Sequence, residues 1–199
     1  MIRISAPSSA PLPLLAAAML GLAVISFAAV PAQAQRAPAA KPASAKPAAA
    51  GGQGQALLLE TAGKWQAFSS QQGRSKICYA LSKAETRIPA NLKDVEGLLF
   101  ISSRPGEGVR NEISLVMNFD LKEDVEHQAI IGSDRFALVA KGQNVWLKNP
   151  AEEGRMLDAL RKGSGLEIKG TSKRGNPTSD KYSLAGISQI VKRAEDACK

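Results

Sequence analysis

Residues 135–147 read Arg135-Phe136-Ala137-Leu138-Val139-Ala140-Lys141-Gly142-Gln143-Asn144-Val145-Trp146-Leu147. Two short apolar runs flank Lys141-Gly142-Gln143. A glycine between two such runs reads as the turn of a β-hairpin. The same pattern recurs on both sides. Upstream lie Trp65 to Phe68, Lys76 to Leu81 and the compact apolar run Leu98 to Ser102. The stretch Glu112 to Phe119 nearly alternates, placing Ile113, Leu115, Met117 and Phe119 on one face of a strand. Downstream, Leu166 to Gly170 and Lys181 to Leu184 flank Gly175-Asn176-Pro177, a second hairpin signal.

Two segments break the two-residue period. Residues 151–162 carry Met156, Leu157 and Leu160 at helical spacing, with Pro150 before and Gly163 after. Residues 186–198 carry Ile187, Ile190, Val191, Ala194 and Cys198 on one helical stripe. The expected fold is mainly β: a β-sandwich of short antiparallel strands, with a short helix and a C-terminal helix packed on it.

Outward from this body, the chain changes character. Residues 1–34 open with Met1-Ile2-Arg3, continue through an apolar run from Leu14 to Val30, and end on Ala32-Gln33-Ala34. A short basic start, an apolar middle and a small-x-small ending are the parts of a secretory signal peptide, with cleavage expected after Ala34. No cysteine follows the apolar run, so it is not of the lipoprotein type. Residues 35–53 are rich in Ala, Pro and Lys and cannot build a core, so they read as an extended linker. Residues 54–199 form the folded body, long enough for one hydrophobic core.

The formal charge is +8, from 26 Lys and Arg against 18 Asp and Glu. Arg3 lies in the leader, and Arg36, Lys41 and Lys46 lie in the linker. The body therefore carries only +4, with signs interspersed. It has no basic stripe of the kind nucleic-acid binders use, so no nucleic-acid partner is expected. Apart from the leader, no apolar run is long enough to span a bilayer, so the cleaved chain is not expected to be integral to a membrane.

Export decides how the two cysteines read. In an oxidising compartment a pair most often forms one disulfide, here Cys78 to Cys198. Two free or catalytic thiols are the alternative, and they lack a Cys-x-x-Cys spacing. The closed loop would contribute about 4–5 kcal/mol by the chain-entropy argument.

Catalytic chemistry finds few parts. The one histidine, His127, follows the charged stretch Lys122 to Glu126 and reads as an exposed loop residue. No Gly-x-Ser-x-Gly or Ser-x-x-Lys occurs. Glu123, Asp124 and Glu126 lack the ligand spacing of a calcium loop, and Glu152-Glu153 suit the first turn of a helix. No catalytic residue, metal ligand or cofactor is expected. Four cations remain as binding candidates: Arg104 and Arg110 around Gly106-Glu107-Gly108, and Lys173-Arg174 in the second hairpin turn. Either pair could take an acidic group. Trp65 and Trp146 read as core or half-buried strand residues, and an exposed one would mark a binding face.

Several stretches resemble the invasion-associated locus B family. They are Lys76-Ile77-Cys78-Tyr79-Ala80, the run Ser103 to Glu112, and Trp146 to Glu153. Lys169 to Gly175 and the ending Tyr182 to Ser188 leading to Cys198 also resemble it. The likeness runs from about Trp65 to the C-terminus and rests on the whole set of segments. It implies a small exported protein of a bacterial envelope, periplasmic or secreted. The family takes its name from a role in host-cell entry, and it supplies no catalytic site to carry over.

Three readings follow from the resemblance and the residue inventory. The first is a non-enzymatic exported protein that binds a protein or surface component of the envelope or host cell. The second is a periplasmic housekeeping module without host contact. The third, an enzyme, is the weakest, since no nucleophile–base pair or metal set is in the sequence.

Overall fold

The computed structural model describes residues 55–199. The expected signal peptide at 1–34 and the expected linker at 35–53 lie outside the described residues. Eleven strands are described: β1 (Ala56–Ala62), β2 (Trp65–Gln72), β3 (Ser75–Lys83), β4 (Thr86–Ile88), β5 (Leu98–Arg104), β6 (Val109–Val116), β7 (His127–Ile131), β8 (Asp134–Lys141), β9 (Asn144–Leu147), β10 (Gly165–Thr171) and β11 (Pro177–Ser183). The helix α1 (Glu153–Lys162) lies between β9 and β10, and α2 (Ile187–Ala197) ends the chain. The fold is mainly β, and every strand pairing is antiparallel.

The hairpin at Lys141 and Asn144 forms with a two-residue loop. Gly142 takes φ +59° at its first position, a conformation that favours glycine. The β10–β11 hairpin also forms as its sequence indicates, with Thr171 opposite Pro177. β6 ends three residues earlier than the alternation predicts. Asn118 turns the chain there with φ +56°, so Met117 is buried and Phe119 half-buried beyond the strand end.

The strands form one continuous sheet in the order β1-β2-β3-β5-β6-β9-β8-β7-β10-β11-β4. β1 and β4 are its two edges, yet only Ala84 and Glu85 separate β4 from β3. Two residues cannot span a flat sheet, so the sheet curls until its far edge returns beside β3. Its two halves face each other across one core, as the layers of a sandwich do. Two contacts fasten the seam: Trp65 Nε1 donates to the Ser183 carbonyl at 2.8 Å, and Glu85 N to the Lys181 carbonyl at 2.8 Å. Beside them the β1–β2 turn interlocks with the start of α2. A Cβ on Gly186 would lie 2.5 Å from the Ala62 carbonyl oxygen, so only glycine fits.

Deep in the same seam, β4 and β11 carry a buried ion pair. Arg87 Nε donates to Asp180 Oδ1 at 3.0 Å, and Nη2 to Oδ2 at 2.7 Å. The third arm, Nη1, donates to the Val95 carbonyl at 2.7 Å. Burial pushes the Asp180 carboxyl up, and the Arg87 guanidinium opposes that shift. A Cβ on Gly97 would come within 2.8 Å of the carboxylate, so the bracket closes over a glycine.

Helix α2 packs against β1, β2 and β3. Its buried stripe is Ile187, Ile190, Val191 and Ala194, the residues the helical period selects. The disulfide Cys78–Cys198 is present, with the two Cα atoms 5.8 Å apart. It ties the end of α2 to the middle of β3. Under the helix, β3 turns small residues inward: Cys78, Ala80 and Ser82. The shorter α1 buries Met156, Leu157 and Leu160, as its spacing predicts, and packs against β6.

Two stability outcomes follow. Pairing Cys78→Ala with Cys198→Ser should lower unfolding free energy by about 2–5 kcal/mol, read by denaturant titration of the oxidised protein. An unchanged midpoint and slope would remove the disulfide from the account. Arg87→Met should cost about 3–5 kcal/mol by stranding a buried carboxylate, whereas the double change with Asp180→Leu should recover most of it. A double variant as unstable as the single one would contradict the desolvation argument.

Candidate functional site

The four cations singled out in the sequence do not converge. Arg104 closes β5 and Arg110 opens β6, at one end of those strands. Lys173 and Arg174 sit in the β10–β11 turn, where Lys173 N donates to the Asp120 carbonyl at 2.9 Å. Asp120 follows the other end of β6. A seven-residue strand such as β5 is roughly 20 Å long, so the pairs cannot share one ligand group.

Arg104 is already committed. It donates from Nε to Glu107 at 2.8 Å and from Nη2 to Glu112 at 2.9 Å. The hydrogen bonds it donates to Glu112 and Glu107 hold its charge more firmly than usual. It is a brace for the β5–β6 connection. Arg110 is exposed and has no ion-pair partner among the described residues.

Lys173 and Arg174 border a cleft of about 440 Å³ at the mouth of the curled sheet. Its other walls come from the segment after β4, the loop after β6 and the β8–β9 turn. Phe119 and Pro89 supply apolar surface there, and Asn91, Gln143 and Asn176 supply amides. Lys173 Nζ lies 3.6 Å from Asp120 Oδ2, while Arg174 has no ion-pair partner among the described residues.

A second feature lies on the outer face of the sheet and was not read from the sequence. β3 turns Ile77, Tyr79 and Leu81 outward, all half-buried. Across the pairings, Phe68 sits opposite Tyr79, and Phe100 opposite Leu81. Phe68 and Tyr79 stack with ring centroids 5.2 Å apart, and Tyr79 meets Phe100 at 5.8 Å in a tilted pair. The register then carries the row through Ser114 to Trp146 and Val139. On the other side it reaches Leu58, opposite Phe68 on the edge strand β1. Trp146 is thus half-buried on an outer face, while Trp65 is wholly buried. Leu57 and Leu58 are 64% and 48% exposed. Nothing among the described residues pairs with the free edge of β1. The signal for this face was present: β3 and β5 are apolar at both parities, as strands covered on both sides are.

His127 departs from its expected place. It begins β7 and is 1% exposed, not a surface loop residue. Its Nε2 lies 2.9 Å from the Lys122 carbonyl, and its Nδ1 lies 3.3 Å from Thr171 N. Nε2–H donating and Nδ1 accepting satisfies both contacts with a neutral ring. The reason is local: the chain from Leu121 bridges to Ser172 and folds over the ring. Among the described residues, no group of three or more His, Cys, Asp or Glu side chains gathers to hold a metal ion. No described helix is long and apolar enough to cross a membrane.

No known family model, curated protein or solved structure matches the chain.

His127 is assigned a structural role by these contacts. His127→Ala should lower stability by about 1–3 kcal/mol through the unpaired carbonyl and amide it leaves behind. Thermal or denaturant unfolding measures this directly, and a variant as stable as the parent would contradict it.

Proposed function

We propose that the protein is an exported, non-enzymatic binding module of a bacterial envelope, which captures a protein partner on the outer face of β1, β2, β3 and β5. One observation carries this reading: the aromatic cluster of Phe68, Tyr79 and Phe100 adjoins Leu58 on a strand edge that nothing among the described residues pairs. Apolar surface of this extent on a secreted fold is commonly an interaction site. Long free edges are usually blunted by lysine, proline or brevity. β4 is three residues long and is followed by Pro89. β1 has seven residues, no lysine and no proline, and only a bulge between Leu58 and Glu60.

The partner chemistry follows from that combination. An extended segment of another protein can add to β1 as a strand and lay apolar side chains on Leu58, Phe68 and Tyr79. Main-chain hydrogen bonds supply affinity, and the aromatic row supplies selectivity. The leader-like start, the disulfide and the resemblance to the invasion-associated locus B family support an exported setting. Whether the partner is a host-surface protein, as that family's name implies, or another envelope protein, as a housekeeping role implies, is an outcome of the test below.

The test is capture by the oxidised protein, offered envelope extract and host-cell membranes separately at physiological salt. Salt suppresses the nonspecific pull of a basic chain. A partner bound through this face should be lost by roughly tenfold or more with Phe68→Asp or Leu58→Asp, at unchanged melting temperature. It should survive Arg104→Ala and Arg110→Ala. The arm that yields it decides between host contact and housekeeping. Retention by both face variants, or loss with Arg110→Ala alone, would overturn the proposed surface.

A further inference from the structure

The cleft at the mouth of the sheet lies apart from the outer face, and its lining has a definite chemistry. At about 440 Å³ it lies in the lower part of the range of small-molecule sites, enough for a ligand the size of one sugar ring. Asn91, Gln143 and Asn176 present amides from three different segments. Each amide both donates and accepts, as a hydroxyl does, so the three suit a ligand with several hydroxyls. Phe119 offers a flat apolar surface of the kind that the C–H face of a sugar ring covers. One face of that ring is already engaged, with the Arg87 guanidinium carbon 5.2 Å from the centroid.

Charge narrows the class. Lys173, Arg174 and Asp120 leave one net positive charge at the rim. Asp120 engages Lys173 at 3.6 Å, so Arg174 is the cation left for a ligand. One carboxylate balances that charge, whereas a phosphate group brings about −1.5 to −2. Arg also suits a carboxylate for its paired donors. Thr178 also borders the cleft, but its hydroxyl oxygen is closed off against Gly170, out of a ligand's reach.

We infer that this cleft binds a monoanionic sugar of the uronic-acid class, with Arg174 taking the carboxylate and Asn91, Gln143 and Asn176 reading the hydroxyls. Such a sugar is either a free solute or the terminal unit of a glycan, and the experiment separates the two.

The experiment titrates the oxidised protein at physiological salt with D-glucuronate, its methyl ester, glucose, inorganic phosphate and a glucuronate-terminated oligosaccharide. Calorimetry or amide chemical shifts read the binding. Glucuronate or the oligosaccharide should saturate with a Kd at or below about 1 mM. The ester and glucose should be at least about tenfold weaker, as should glucuronate on Arg174→Ala, for want of the charged pair. Arg174→Ala should melt with the parent protein. Binding of the free acid alone identifies a solute, and tighter binding of the oligosaccharide identifies a glycan end. Failure of both acids to saturate, equal binding of ester or glucose, tighter binding of phosphate, or indifference to Arg174→Ala would each overturn the inference. None of these results depends on the outer face.

Discussion

The Cys78–Cys198 bond sets the terms for half of the structure. It holds the last turn of α2 against the inner side of β3, and the helix takes the space where large side chains would otherwise stand. Hence β3 faces inward with Cys78, Ala80 and Ser82, and β2 with Ala67. Ser82 fits this account through its size, because its hydroxyl has no hydrogen-bond partner among the described residues. β3 therefore carries its bulky apolar residues at the opposite parity, and the inward Trp65 of β2 reaches across to Ser183. Ile77, Tyr79, Leu81, Phe68 and Phe100 all point away from the helix, and the outer face becomes aromatic as a consequence.

The other half is closed by polar contacts. A sheet that curls until β4 meets β3 must seal its seam without a continuous hydrogen-bond ladder. The Arg87 bond to the Val95 carbonyl, held in place by Asp180, together with the Trp65 indole and the close approach of Gly186 to Ala62, does this. Buried ion pairs contribute little net stability but tolerate few alternative arrangements, which suits a seam that must close in one register. The same curling gathers the turns at Gln143, Lys173 and Asn176 around one mouth. The aromatic face and the mouth cleft are thus separate products of one topology.

Much of this was legible in the sequence. The strands around Gly142 and Gly175 announced themselves by alternation and glycine, and both helices by their apolar stripes and their Pro and Gly punctuation. The disulfide followed from a compartment argument. Three elements were not anticipated. β1 precedes Trp65 and is mostly exposed, so burial writes no alternating pattern into it. β4 is too short to show a period. β7 begins at His127, where a charged stretch masks the strand and the buried ring. The cations were found, but their placement was not, because which turns share an end depends on strand order. The aromatic row was equally hidden. Its members lie on separate strands, and only the register brings Phe68, Tyr79 and Phe100 together.

The outer face, not the arginine-bearing β5–β6 connection, is the surface proposed to meet the protein partner. In-cell photo-crosslinking tests it most directly. A photoreactive aromatic residue is placed at Phe100 in one chain and at Arg110 in another, and each is irradiated in the envelope and in contact with host cells. A discrete protein adduct from position 100, with none of matching size from position 110, is the predicted result. Adducts from position 110 alone, or none from position 100 in either setting, would contradict it.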